Sequence, residues 1–166
     1  MNLKKTVRFI VVGACAAMLA FVLSGCASTQ TTSTDDEASQ NRQYMALLNQ
    51  QMDDLQTTLD SFQKAVAQKD TVSMKAQVAN ISKTLDDVKN TDCTERLQTV
   101  KDGYVDGLCT LQDSLNAYVT LYTDVSNGAV DDATYQQRLT QVQTSYDNGI
   151  AKLKSADEAV RKIAEE

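Results

Sequence analysis

From about Ala38 to the C-terminus, apolar residues recur at alternating steps of three and four, the spacing of one face of an α-helix. The first run is Met45, Leu48, Met52, Leu55, Leu59, Phe62 and Val66. Lys69-Asp70-Thr71 interrupts it, with Asp70 or Thr71 placed to cap a new helix. The second run is Met74, Val78, Ile81, Leu85 and Val88, and it fails where Asp92 and Glu95 would have to be apolar. Asp92-Cys93-Thr94-Glu95 has the form of a capping box for a third helix. That helix carries Leu97, Val100, Tyr104, Leu108, Leu111, Leu115, Tyr118, Tyr122 and Val125 before Ser126-Asn127-Gly128 stops it. Asp131 or Asp132 caps the fourth run, which goes from Tyr135 through Leu139, Val142, Tyr146, Ile150, Leu153 and Val160 to Ile163.

These runs fold back on one another with apolar residues meeting apolar residues. Tight reversals set Val66 against Met74 and Met52 against Val88, then Val88 against Leu97, Ile81 against Tyr104 and Met74 against Leu111. The last reversal sets Tyr122 against Tyr135 and Tyr104 against Leu153. The expectation is an all-α chain, an up-down-up-down antiparallel four-helix bundle with a short second helix. In these registers the first helix ends level with Asp113 and Thr144. The third and fourth helices would then project as a hairpin from about Ser114 to Gln143, reaching ~20 Å at 1.5 Å per residue.

The N-terminal segment is of another kind. Lys4, Lys5 and Arg8 precede an apolar stretch from Phe9 to Leu23, too short to span a bilayer as a helix, and Leu23-Ser24-Gly25-Cys26 follows. An apolar residue, two small ones and a cysteine resemble the lipobox of bacterial lipoprotein signals. That resemblance covers residues 1–26 and implies cleavage after Gly25 and lipid on the Cys26 thiol. The domain reading is a signal peptide over 1–25, a Ser/Thr-rich acidic tether over 26–41, and the helical domain over 42–166. Asp35, Asp36 and Glu37 also suit a helix start. Lipobox plus bundle is similar to small helical lipoproteins of bacterial envelopes, a likeness of architecture that carries no activity across. Ala27 lacks the Asp of an inner-membrane retention signal, so a double-membraned host implies the outer membrane.

Charge and composition narrow the rest. There are 16 Lys and Arg, three of them in the leader, against 22 Asp and Glu, so the mature chain has a net charge of −9. That opposes nucleic acid and anionic lipid headgroups. With no histidine, the chain lacks the commonest general base and metal ligand. Acidic pairs such as Asp53-Asp54 and Asp86-Asp87 read as solvated faces, since adjacent helix residues do not converge. The reading is therefore no catalytic residue, no metal, and no cofactor beyond the lipid on Cys26: not an enzyme.

Three groups of residues remain as candidates for function. Tyr118, Tyr122 and Tyr135 fall on the expected arm, where they would serve a protein partner or a second copy of the chain. Tyr104-Val105-Asp106-Gly107-Leu108 is echoed by Tyr146-Asp147-Asn148-Gly149-Ile150. In the expected register Leu108 faces Gly149 and Ile150 faces Gly107. A void at this Tyr104/Tyr146 level would favour a small ligand, and tight packing would favour the contact role. Cys93 and Cys109 are expected unbridged, being ~24 Å apart if both lie on one helix. A turn at Lys101-Asp102-Gly103 is the alternative that would join them.

Overall fold

The computed structural model describes residues 34–165, and all regular structure within them is helical. There are four helices in this span: α1 (Thr34–Gln68), α2 (Thr71–Asn90), α3 (Glu95–Ser126) and α4 (Asp132–Glu165). The leader, Cys26 and the first part of the tether lie outside the described residues. Helix α1 begins earlier than its apolar stripe, so Asp36 and Glu37 fall in its first turn. There the charge of these two carboxylates complements the exposed amides of the helix end.

Each break in the apolar pattern is a break in the chain, and each has its own chemistry. Lys69 adopts a left-handed φ of 59°, and the amides of Lys69 and Asp70 close back on the carbonyls of Val66 and Ala65 at 3.1 and 2.9 Å. This pair of bonds is a Schellman stop built on lysine instead of the usual glycine. Asp70 then starts α2, its carboxylate accepting from the amides of Val72 and Ser73 and, at 2.6 Å, from the Ser73 hydroxyl. Those bonds, the hydroxyl foremost, hold the Asp70 carboxyl below its ordinary range. At the far connection Gly128 takes the left-handed conformation (φ 69°) and repeats the Schellman pattern onto Val125 and Asp124. Asp131, not Asp132, caps α4 through the Thr134 amide at 2.7 Å.

The middle connection departs from the sequence reading. No capping box forms there. The N-cap of α3 is Thr94, whose hydroxyl makes no bond to its own helix and donates to the Asn41 side chain of α1 instead. Thr91 and Thr94 are both extended (ψ 122° and 161°). The chain therefore runs on past the end of α2 for about 13 Å before α3 turns back, which equals about nine residues of helix rise. The α2–α3 register shifts by that amount. Ser82 and Ala79 lie across a shallow surface groove from Gln112 and Asn116, where a tight reversal would have paired Ile81 with Tyr104.

This shift also shortens the projecting arm. With α2 displaced along α3, α1 travels with it, and Phe62 packs edge-on against Tyr118 with ring centroids 5.9 Å apart. Ser114 is 1% exposed and Tyr118 6%, and full burial continues to Leu121 on α3 and resumes at Val142 on α4. The expected hairpin is thus core from Ser114 to Leu121, and from Tyr122 to Gln141 no residue is buried. The same core holds Tyr44, where the stripe pointed to the half-buried Met45, and adds Ala65, Val119 and Ala156.

Helices α3 and α4 are antiparallel along their whole length, tied by Asp124–Arg138 at 2.7 Å, Asp106–Lys152 at 2.9 Å and Arg96 to the Ile163 carbonyl at 2.9 Å. Their register is about three residues from the expected one. Gly107 faces Leu153, not Ile150, and Gly149 faces Leu111, not Leu108. The two contacts are reciprocal, so the repeated Tyr-x-x-Gly motif acts as a local two-fold: each glycine receives the leucine four residues beyond the other. A Cβ on Gly149 would stand 3.0 Å from the Leu111 amide nitrogen and 3.1 Å from its Cα, and one on Gly107 would stand 2.7 Å from Leu153 Cδ2. Glycine to alanine inside a helix normally stabilises by about 0.5–1 kcal/mol. Here Gly149→Ala is expected to destabilise, by about 1–3 kcal/mol through overpacking. A chemical denaturation midpoint below wild type checks the reversed sign.

Candidate functional site

The three candidate groups have different fates. Tyr118 is a core residue, its ring against Phe62 and its exposure 6%. Tyr122 and Tyr135, further along the α3–α4 pair, are half-buried. Of the three tyrosines expected to meet a partner, two therefore present surface. They lie by the α3–α4 connection, close to the Arg138–Asp124 ion pair. Phe62, near the end of α1, packs on Tyr118, one turn before Tyr122 on α3.

At the Tyr104/Tyr146 level the glycines are filled by Leu153 and Leu111, leaving no room for a ligand between α3 and α4. Tyr104 is buried, and its hydroxyl donates to the Asp157 carboxylate of α4 in a short hydrogen bond. Tyr146 is half-buried and borders a narrow apolar gap of about 20 Å³, with Leu59, Phe62 and Val66 of α1 opposite. The gap is about the size of one water molecule but offers apolar walls, which argues for an empty space.

Sequence reasoning missed the other buried phenol. Tyr44 is 3% exposed, and its hydroxyl has no hydrogen-bond partner. Cys93 and Asp102 are the charged or ionisable groups that act on it, with Tyr104 also near enough to interact. A tyrosine one step off an apolar stripe was the available signal, and the extended Thr91–Thr94 segment explains why it counts. With α2 ended, this segment brings Cys93 over the α1 face that bears Tyr44. Cys93 is half-buried and Cys109 exposed, both as free thiols. Helix α3 runs unbroken through Lys101-Asp102-Gly103, so the turn that would join them is not formed. Burial pushes the Cys93 thiol up, with Asp102 and Asp92 adding to the effect and Lys101 opposing it, the reverse of an activated cysteine.

Among the described residues no three His, Cys, Asp or Glu side chains gather where they could hold a metal ion. No described helix is long and apolar enough to cross a membrane. No family model matches the chain, and neither the curated proteins nor the solved structures give a match.

The buried phenols set an alkaline limit. Burial, then the nearby Tyr135 and Tyr122, pushes Tyr118 from 10.0 up to about 12. Burial and, for Tyr104, the Asp157 bond carry Tyr44 and Tyr104 higher still. A pKa raised by folding gives stability that is complete below the unfolded value and is lost as pH climbs towards the folded one. Stability should therefore fall once the pH exceeds 10, and these three phenols should ionise only together with loss of helix. Tyrosinate absorbance and circular dichroism recorded on one titration check this. Full ionisation near pH 10 with the helices intact is the contrary result.

Proposed function

We propose that this chain is a bacterial lipoprotein, held outside the cytoplasmic membrane by lipid on Cys26, whose up-down-up-down four-helix bundle acts by protein contact and not by catalysis. The observation that carries the reading is the order of the N-terminal segment: Lys4, Lys5 and Arg8, an apolar stretch, then Leu23-Ser24-Gly25-Cys26. Two or three acyl chains give stable anchoring where one gives only reversible binding. In a double-membraned host the anchor belongs in the outer membrane. The net charge of −9 keeps the bundle itself off anionic headgroups and nucleic acid.

Geometry supports a contact role at the end away from the anchor. Residues 27–33 lie between Cys26 and α1, and fully extended they reach at most ~28 Å. Helix α1 adds ~50 Å at 1.5 Å per residue. Tyr122 and Tyr135 thus stand at the end of the bundle furthest from the lipid, where a protein partner or a second copy can reach them. Half-buried tyrosines suit such contacts because one end of the ring is apolar and the other polar.

Two experiments test this reading. Cells fed an alkyne fatty acid should label the wild-type chain in the membrane fraction, whereas Cys26→Ser should lose both the label and the membrane. Label retained on Cys26→Ser refutes the anchor. For the contact, a photo-cross-linking residue at position 122 should trap a partner in intact cells, and one at exposed Asp53 should not. Tyr118→Ala should lower the melting temperature by more than Tyr122→Ala does, whereas Tyr122→Ala should abolish partner binding. Equal binding by Tyr122→Ala and wild type removes this surface from the proposal.

A further inference from the structure

The four helices are joined unequally. α1 packs along α2, α2 along α3, and α3 most closely along α4, but α4 and α1 have no comparable backbone approach. Both ion pairs among the described residues join α3 to α4, as do the Tyr104–Asp157 and Arg96–Ile163 bonds. The seat of α1 against the α3–α4 pair has two defects. Near one end the Tyr44 hydroxyl is buried without a partner. Near the other, a gap of about 20 Å³ separates Phe62 and Val66 from Val142 and Tyr146. An unpaired buried hydroxyl is costly, and a void forfeits dispersion contacts along its walls. Both penalties are relieved if α1 lifts away.

We infer that the bundle opens along the α1/α4 seam, the α1–α2 hairpin swinging from the α3–α4 hairpin about the α2/α3 contact as a hinge. This motion keeps all three close helix pairings and parts α1 from the α3–α4 pair, where both defects lie, with loss of the Phe62–Tyr118 ring contact and the Thr94–Asn41 bond. It returns the Tyr44 hydroxyl to water and uncovers the apolar faces of α1 and α4. The rigid half is fixed by the Gly107–Leu153 and Gly149–Leu111 contacts, so α3 and α4 stay together as the seam parts. The lipid anchor joins the chain ahead of α1, on the hairpin that moves. The opening itself does not depend on the anchor.

Thiol trapping under native conditions tests this on the full-length protein, with labelling read peptide by peptide by mass spectrometry. Val142→Cys reports on the α1/α4 gap and Ala156→Cys on the α3/α4 seam beside Gly103, both residues being buried on α4. Opening short of global unfolding should label Val142→Cys at least ~tenfold faster than Ala156→Cys. Adding Tyr44→Phe removes the unpaired hydroxyl and should slow the Val142→Cys rate at least ~fivefold. Equal rates at the two positions would mean one all-or-none unfolding and overturn the inference. So would a Val142→Cys rate that Tyr44→Phe leaves unchanged, because the opening would then leave α1 in place.

Discussion

The close approach of α3 and α4 is the constraint on which the rest of the fold depends. Gly149 lets the Leu111 backbone come within contact distance of its own, and Gly107 leaves the space that Leu153 fills. Two contacts related by a local two-fold fix both the separation and the stagger of the pair. Once they are set, Lys152 reaches Asp106, Tyr104 reaches Asp157 and Arg138 reaches Asp124 without further adjustment. The α1–α2 hairpin then packs against a surface that is already formed. Its core residues fill that surface well at Leu48 and Leu55 and less well at Tyr44 and beside Phe62.

Much of this was legible in the chain. The four apolar runs, the stops at Lys69-Asp70 and Asn127-Gly128 and the break after Asn90 follow from local rules, because caps and helix periodicity involve neighbours in sequence. Registers between helices do not. The pairing of α2 with α3 depends on whether four residues from Thr91 to Thr94 fold tightly or extend. The polar Asp92 and Glu95 suited a capping box as well as they suit a solvated strap and the first turn that follows it. That one ambiguity carried the level of α1 with it and made Tyr118 look uncovered. The glycine repeat was visible as a packing device, but apolar residues at 150 and 153, or 108 and 111, satisfy the pattern equally well. Backbone proximity alone distinguishes them.

The tyrosines show how little residue type says about role. Tyr118 is an aromatic core residue, Tyr104 is a buried donor to a carboxylate, Tyr44 is buried with its hydroxyl unanswered, and Tyr122 and Tyr135 keep part of their surface in solvent. All but Tyr44 lie on the stripes read from sequence. Neighbouring helices decide the rest, and for Tyr44 the decisive neighbour is a stretch with no regular structure at all.

That stretch also reverses the usual tolerance of loops. Connections on a protein surface generally accept insertions and deletions at small cost. The strap from Thr91 to Thr94 works instead as a spacer whose length is measured against helix pitch. Deleting one residue would draw α2 along α3 by about 3.3 Å, more than half of the 5.4 Å turn. Side chains that now enter hollows would meet ridges, from Val88 to Met74. A segment of four residues without helix thus has little freedom to vary in length.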